Sequence, residues 1–231
     1  MAECALPAWA DDDLFPFTSR FVDIDEHTVH YVDEGSGPTL LLLHGNPTWS
    51  FLWRDVIRAL CDDFRCVAPD YPGFGLSTAK PGYRYLPEEH ADVVTGFVDA
   101  LGLSEVTLVG QDWGGPIGLA AAQRRAGVFE RLVLVNAWAC SVNGDPYFEA
   151  FGRIAVGPPI RFLARQLNLV VKAFLPMGHR KRKLRQPTTA ARWTRPSDAR
   201  RPACSPAGFS PAGPSSPRWR RAFPTSPNCR S

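Results

Sequence analysis

The stretch of the sequence that points most directly to chemistry is a glycine-rich turn between a short apolar segment and a segment of small residues. It is Gly110-Gln111-Asp112-Trp113-Gly114. This fits the G-x-nucleophile-x-G pattern, in which a tight strand-to-helix turn exposes the central side chain above a sheet. Many hydrolases carry serine there. Serine that attacks an sp3 carbon would leave an ether that water cannot cleave, whereas a carboxylate such as Asp112 leaves an ester that water can cleave. Asp is also favoured as a helix N-cap, so the turn alone leaves a structural role open.

A second motif, residues 44–49 ("HGNPTW"), directly follows a run of four leucines at residues 40–43. A continuous apolar run is typical of a strand buried on both faces of a parallel sheet. The turn after such a strand supplies the second half of the oxyanion hole in enzymes with a nucleophile turn. The two turns together favour Asp112 as a nucleophile.

The elements around these turns alternate between strand and helix patterns. Residues 20–35 alternate and end in a turn, which predicts an antiparallel hairpin. Residues 48–61 place apolar side chains on one helical stripe, and residues 86–102 form a second helix that Pro87 begins and Gly102 ends. Further strands are predicted at residues 64–70, 106–110 and 131–136. The predicted class is α/β, with a mostly parallel sheet flanked by helices.

The charge distribution divides the chain. Residues 1–179 hold 13 basic and 22 acidic side chains, whereas residues 180–231 hold 13 basic side chains and one acidic one. We predict that residues 1–139 form the N-terminal part of the core domain. Residues 140–179 contain apolar helices broken at residues 157–159, and we predict that they form a partial helical lid.

Residues 180–231 contain nine prolines and no apolar periodicity, which predicts a disordered basic tail. Text rich in Arg and Pro is what a GC-rich coding region gives out of frame, so we interpret this segment as out-of-frame sequence. The C-terminal strands of the fold are then expected to be missing. A basic arm for nucleic acid or membrane and a tail without function are the alternatives.

The composition argues against a membrane protein, a secreted protein and a metal-binding protein. The chain has no run of 18 apolar residues for a membrane span, and its first 17 residues lack the basic region of a signal peptide. We therefore expect a cytoplasmic protein with no membrane or nucleic-acid partner. The six cysteines show no C-x-x-C pair and no metal spacing with histidine, which favours reduced thiols and no metal site.

Three motifs resemble those of haloalkane dehalogenases of the α/β-hydrolase fold: residues 44–49, residues 69–77 ("PDYPGFGLS") and residues 110–115, within a resemblance that covers roughly residues 14–180. In that family an aspartate displaces halide from a haloalkane, and a histidine-activated water hydrolyses the alkyl ester to an alcohol. The resemblance implies that the partners are a small halogenated alkane, water and halide, without a cofactor. Nothing in the sequence indicates the oligomeric state.

The resemblance also assigns site residues. Asp112 is the nucleophile, and the amide of Asn46 and the indole N–H of Trp113 bind the departing halide, which needs donors without competing water. The backbone N–H groups of Asn46 and Trp113 hold the oxyanion when the ester is cleaved.

Hydrolysis of the ester requires a histidine late in the chain. Four histidines precede Asp112: His27, His30, His44 and His90. The fifth, His179, matches no motif and is expected to be a solvated surface residue, so we assign no general base. The acid partner is also unknown, because Asn136 stands where one subclass carries it, and a later acid would lie beyond residue 180. The 231-residue chain is therefore expected to be impaired or inactive in turnover.

Single residues distinguish this sequence from those of related enzyme classes. Epoxide hydrolases of this fold share the aspartate turn, but they usually carry an aromatic residue at the position of Asn46 and need lid tyrosines, of which only Tyr147 is available here. Haloacetate dehalogenases usually follow the aspartate with Arg, and Trp113 instead favours neutral haloalkanes. Asp112 excludes a serine esterase. An epoxide hydrolase relative and a non-catalytic remnant stay open as alternatives.

Overall fold

The structure, a computed structural model, describes residues 14–140 and residue 146. Its helices and strands are β1 (Arg20–Ile24), β2 (His27–Glu34), β3 (Thr39–Leu43), a 3₁₀ turn (Ser50–Trp53), α1 (Arg54–Leu60), β4 (Arg65–Pro69), α2 (Pro87–Ala100), β5 (Val106–Gln111), α3 (Gly114–Arg124) and β6 (Phe129–Val135). The predicted alternation of strands and helices is confirmed.

The six strands form one sheet in the order β1-β2-β4-β3-β5-β6. β1 and β2 pair antiparallel, as the hairpin prediction required, and Asp25 and Glu26 between them both have positive φ, 45° and 65°. Two such residues are typical of the type I′ turns that close short hairpins. β2 pairs antiparallel with β4, and the pairs β4–β3, β3–β5 and β5–β6 are parallel. The α/β-hydrolase class with a mostly parallel sheet is confirmed.

Strand β3 shows why the sheet is covered on both faces. Leu41 and Leu43 pack in the core cluster that contains the buried residues of α2 and α3. Leu40 and Leu42 pack in a second cluster, with the 3₁₀ turn and α1. Alternate side chains of a strand point to opposite faces, so four consecutive leucines require helices on both sides.

The predicted helix at residues 48–61 is wrong in its first turn. Leu52 N–H bonds to the Trp49 carbonyl at 2.9 Å, which is 3₁₀ rather than α spacing, and Ser50 N–H is taken by Asp70 Oδ1 at 2.7 Å. The contact with Asp70, which follows β4, holds the start of this segment out of α geometry. The α-helix begins only at Arg54.

Helix α2 confirms its prediction. Pro87 begins it, and Gly102, just beyond its last residue, has φ +58°. Glu89 reaches back to accept the Leu86 N–H at 3.4 Å. This bond satisfies one of the donors left free at a helix start.

Strand β6 ends the sheet within the described part of the chain. Its Leu132, Val133 and Val135 side chains are exposed. Most of the predicted lid (140–179) and the whole predicted tail (180–231) lie outside the described residues.

Cys61 and Cys66 are free thiols. Cys140 is disulfide-bonded, so the prediction of reduced thiols is wrong at that residue. In residues 14–140 no cluster of His, Cys, Asp or Glu is arranged to hold a metal ion, and no helix there is long and apolar enough to cross a membrane.

Candidate active site

Asp112 stands at the tip of the turn between β5 and α3. Its φ is +52°, a left-handed conformation that Asp tolerates better than most residues but still at a cost. A Cβ at Gly110 would lie 2.7 Å from the Gly114 carbonyl oxygen, and one at Gly114 would lie 2.7 Å from the Leu43 carbonyl carbon. The N-cap of α3 is Trp113, without a side-chain cap bond. Asp112 is therefore not the N-cap residue of α3, and the N-cap interpretation is wrong.

The Asp112 carboxylate lies between two backbone N–H groups. The Asn46 N–H donates to Asp112 Oδ1 at 3.0 Å, and the backbone N–H of Trp113 also bonds to this carboxylate. Burial raises the pKa of Asp112, and these two hydrogen bonds partly oppose the increase because they stabilise the charged form. The structure thus brings together the two N–H groups that the sequence analysis assigned to oxyanion binding.

The turn after β3 is held by His44, a residue to which the sequence analysis assigned no role beyond membership of this turn. The Tyr71 N–H donates to His44 Nε2 at 3.1 Å, so the proton of the ring is on Nδ1, which donates to the Gly45 carbonyl at 2.9 Å. His44 is fully buried, and burial lowers its pKa. Both ring nitrogens of this neutral imidazole are occupied, which excludes His44 as a general base here.

Gly45 brings this turn into contact with the nucleophile. Its carbonyl also accepts the Thr48 N–H at 3.0 Å and the Thr48 hydroxyl at 2.9 Å. A Cβ on Gly45 would lie 2.5 Å from Asp112 Oδ1. The Asn46–Pro47 peptide bond is cis. Only a residue without a side chain lets the Asn46 N–H approach the carboxylate this closely.

The side chains predicted to bind halide lie at the same turns. Asn46 Oδ1 is buried without a hydrogen-bond partner among the described residues, and a 180° rotation of the amide would place its donor group there instead. The Trp113 ring is partly buried and meets Trp138 edge to face, with ring centroids 5.0 Å apart. Asn136 follows β6 beside the turn, where the Asp112 N–H bonds to the Val135 carbonyl at 3.3 Å, and is exposed.

His27 and His90 each bond to a group other than Asp112. His27 Nδ1 accepts the Lys80 N–H at 3.2 Å, and burial is the main cause of its lowered pKa. His90 is buried and bonds to the Tyr83 hydroxyl at 2.8 Å, and burial lowers its pKa to about 3. Among the hydrogen bonds of the described residues, neither imidazole bonds to the Asp112 carboxylate, and His90 Nε2 is buried without a partner there.

His30 belongs to a buried Ser–His–Asp row, 2.8 Å from Asp70 Oδ2 and 3.0 Å from Ser19 Oγ. Burial opposes ionisation of Asp70, but His30 and the hydrogen bonds outweigh it, and the pKa is lowered. Asp70 also accepts the N–H groups of Ser50 and Leu76, at 2.7 and 2.9 Å. Since all three members of the row are buried, it holds the loop after β4 in place and is closed to substrate.

The comparisons with known proteins agree with this architecture. Residues 38–225 match the family described as alpha/beta hydrolase fold. The chain belongs to this family. The mutant haloalkane dehalogenase DatA from Agrobacterium tumefaciens C58 has a similar structure, with a TM-score of 0.71 and 27% identity over 85% of this chain and 70% of that one.

Two curated relatives share more of their sequence with this chain than that structure does. Haloalkane dehalogenase 2 of Mycobacterium tuberculosis is 49% identical over 168 residues, 73% of this chain and 58% of the relative. A cis-3-alkyl-4-alkyloxetan-2-one decarboxylase of Shewanella oneidensis is 40% identical over 132 residues, 55% of this chain and 41% of the relative. The chain thus spans less than two thirds of the length of either.

Proposed function

We propose that the chain carries out the alkyl-transfer chemistry of a haloalkane dehalogenase, with Asp112 as nucleophile. The observation that carries this proposal is the Asp112 carboxylate at a strained turn tip, fixed by the Asn46 and Trp113 N–H groups. A carboxylate held in this way attacks in one orientation, and such positioning can contribute strongly to the rate of a displacement. The similarity to haloalkane dehalogenases supports a halogen-bearing carbon as the electrophile.

In the proposed step a carboxylate oxygen of Asp112 forms a bond to the carbon, and the carbon–halogen bond breaks with its electron pair on the halide. The Asn46 amide and the Trp113 indole N–H stabilise the departing halide. The buried Asn46 Oδ1 has no partner among the described residues, and the amide rotated by 180° would present its N–H donor to a halide at that place. The product is an alkyl ester of Asp112.

The electrostatics favour a neutral substrate. Burial and two backbone hydrogen bonds account for the pKa of Asp112, and no cationic side chain of the described residues contributes to it. A haloacid would bring a second carboxylate next to Asp112 without a cation to offset the repulsion. The site therefore suits a haloalkane better than a halogenated acid.

The second half-reaction lacks an assigned base. The four described histidines bond to other groups, and His179 lies outside the described residues. A positioned general base contributes about 10²–10⁴-fold to such a step. We propose that the 231-residue chain forms the ester faster than it hydrolyses it.

The test is the reaction of the full chain with excess 1-bromohexane. We expect intact-mass analysis to show one added hexyl group, peptide mapping to place it on Asp112, and bromide release to stop at one equivalent. Asp112→Asn, a nearly isosteric control, should show no adduct. An adduct on another residue, or no adduct on a folded chain, would contradict the proposal, and sustained bromide release would contradict the missing base and direct attention to His179.

A further inference from the structure

Trp138 lies near the candidate site and has no role in the proposed alkyl-transfer step. It belongs to the segment after β6, and its side chain is partly buried. Its ring centroid is 5.0 Å from that of Trp113, and the two ring planes are 77° apart. Edge-to-face pairs of this kind are a preferred arrangement of aromatic rings. The contact joins Trp138 to the residue that supplies the proposed indole donor.

The backbone that carries Trp138 is fixed against the turn that carries the nucleophile. β6 runs parallel to β5, and the Asp112 N–H bonds to the Val135 carbonyl at 3.3 Å. A Cβ on Gly115, in the first turn of α3, would lie 2.6 Å from the Ala137 Cβ and 3.8 Å from the Trp138 carbonyl oxygen. The segment after β6 therefore packs directly on the start of α3, at a place where glycine leaves room for it.

The indole of Trp113 needs support that its backbone does not give. Its backbone is held, because Trp113 is the N-cap of α3 and its N–H bonds to the Asp112 carboxylate. The ring still rotates about two single bonds, and the second of these has broad preferred angles. The ring packs against the core cluster that contains the buried residues of α2 and α3, and against Trp138. These two contacts determine where the indole N–H points.

We propose that Trp138 is a positioning residue that holds the Trp113 indole in the orientation in which its N–H binds the departing halide. Trp138 acts through Trp113 and is not itself a donor in the step. The inference rests on the proposed function, because it assumes a halide that leaves beside Asp112. It makes halide binding depend on a side chain outside the nucleophile turn.

The expected size of the effect follows from the ring contact. Removal of the contact reduces the population of chains whose indole is correctly oriented, and the apparent halide affinity falls by the same factor. An edge-to-face pair contributes an energy equivalent to about 2–10-fold in such an equilibrium. A side chain that only filled space would instead lower stability and leave halide affinity unchanged.

The test measures how strongly added bromide inhibits the labelling of Asp112 by 1-bromohexane in the full chain. This measurement does not use fluorescence, so it applies to every tryptophan variant. We expect Trp138→Leu to require about 2–10-fold more bromide for half inhibition. Trp138→Phe, which retains an aromatic ring, should stay close to the parent chain. In a Trp113→Phe background, which lacks the indole N–H, Trp138→Leu should cause no further change.

Trp53→Leu is the matched control. It makes the same chemical change in the cluster on the opposite face of the sheet, where Trp53 is 5% exposed. Loss of a large buried side chain should lower the urea concentration at which this variant unfolds. Its inhibition by bromide should equal that of the parent chain.

The outcomes separate the inference from the proposed function. Unchanged bromide inhibition in Trp138→Leu would overturn the inference, as would an equal loss with and without the Trp113 indole, or a similar loss in Trp53→Leu. A parent chain that 1-bromohexane labels and bromide does not inhibit would also overturn it. Labelling of Asp112 in the parent chain would support the proposed function in all these cases, whereas a folded parent chain without that label would overturn both.

Discussion

The substitution Gly45→Ala tests whether contact with Gly45 positions the Asp112 carboxylate, and its effect on the labelling rate can be measured apart from its effect on stability. Gly45 has no positive φ, so alanine fits its backbone, and only the space beside Asp112 opposes the substitution. The new Cβ would lie 2.5 Å from Asp112 Oδ1 and 2.8 Å from Asp112 Cγ. We expect the turn and the carboxylate to move apart and to weaken the hydrogen bond from the Asn46 N–H.

The size of the effect follows from these distances. Ordinary van der Waals contact begins at 3.4 Å, so one of the two groups must shift by about 1 Å. Displacement of a reacting group by about 1 Å can cost ~10²-fold in rate, and overpacking of this kind destabilises a fold by about 1–3 kcal/mol. Gly45→Ala should therefore react with 1-bromohexane about 100-fold more slowly and unfold at a lower urea concentration.

Gly127→Ala is the matched control. It makes the same chemical change at a glycine whose added Cβ meets nothing within 4 Å and whose φ is ordinary. Replacement of such a glycine stabilises a protein by roughly 0.4–1 kcal/mol, because the unfolded chain loses freedom. This variant should keep the parent labelling rate and unfold at the same or a slightly higher urea concentration.

The measurements are the rate of hexyl addition at Asp112 and the urea midpoint, both on the full chain. A Gly45→Ala chain that labels at the parent rate would refute the argument that contact between the two turns positions the carboxylate. A chain that loses stability without losing rate would show that the turn yields while Asp112 stays in place.

Two further predictions concern the same carboxylate and its neighbour. Burial raises the pKa of Asp112 above its unfolded value, so the unfolded chain ionises first and stability falls as pH rises between the two values. Asp112→Asn should therefore be more stable than the parent chain in urea at neutral pH and equal to it at pH below both values. A variant that is less stable than the parent at neutral pH would contradict this sign. Bromide should quench tryptophan fluorescence saturably as it binds. Trp113→Phe should weaken bromide binding by about 10–100-fold, since a hydrogen bond to a charged group contributes about 1.5–3 kcal/mol, whereas Trp53→Phe, in the cluster on the opposite face of the sheet, should retain the saturable quenching. Quenching that is linear in bromide in every variant would count against a halide site.

Much of the fold could be predicted because its signals are local. The hairpin at residues 20–35, the run of leucines in β3 and the Pro87 and Gly102 boundaries of α2 all express preferences of the chain within a few residues. The helix predicted at residues 48–61 failed where a distant residue intervened, since Asp70 holds the Ser50 N–H in the 3₁₀ turn. The disulfide at Cys140 was missed for a related reason, because spacing alone does not show which thiols meet.

The candidate site also has one part that the local sequence determined and another that depended on distant contacts. The sequence by itself determined that Asp112 stands at the tip of a tight turn, because glycines on both sides and a left-handed φ are properties of a short peptide. Only the tertiary structure decided what surrounds its carboxylate. The donor on Asn46 is 66 residues away along the chain, and it arrives because β3 and β5 are parallel neighbours whose carboxyl ends meet at one edge of the sheet. The roles of His44 and Tyr71 became visible only there, since burial and hydrogen-bond partners depend on contacts that the packed sheet creates.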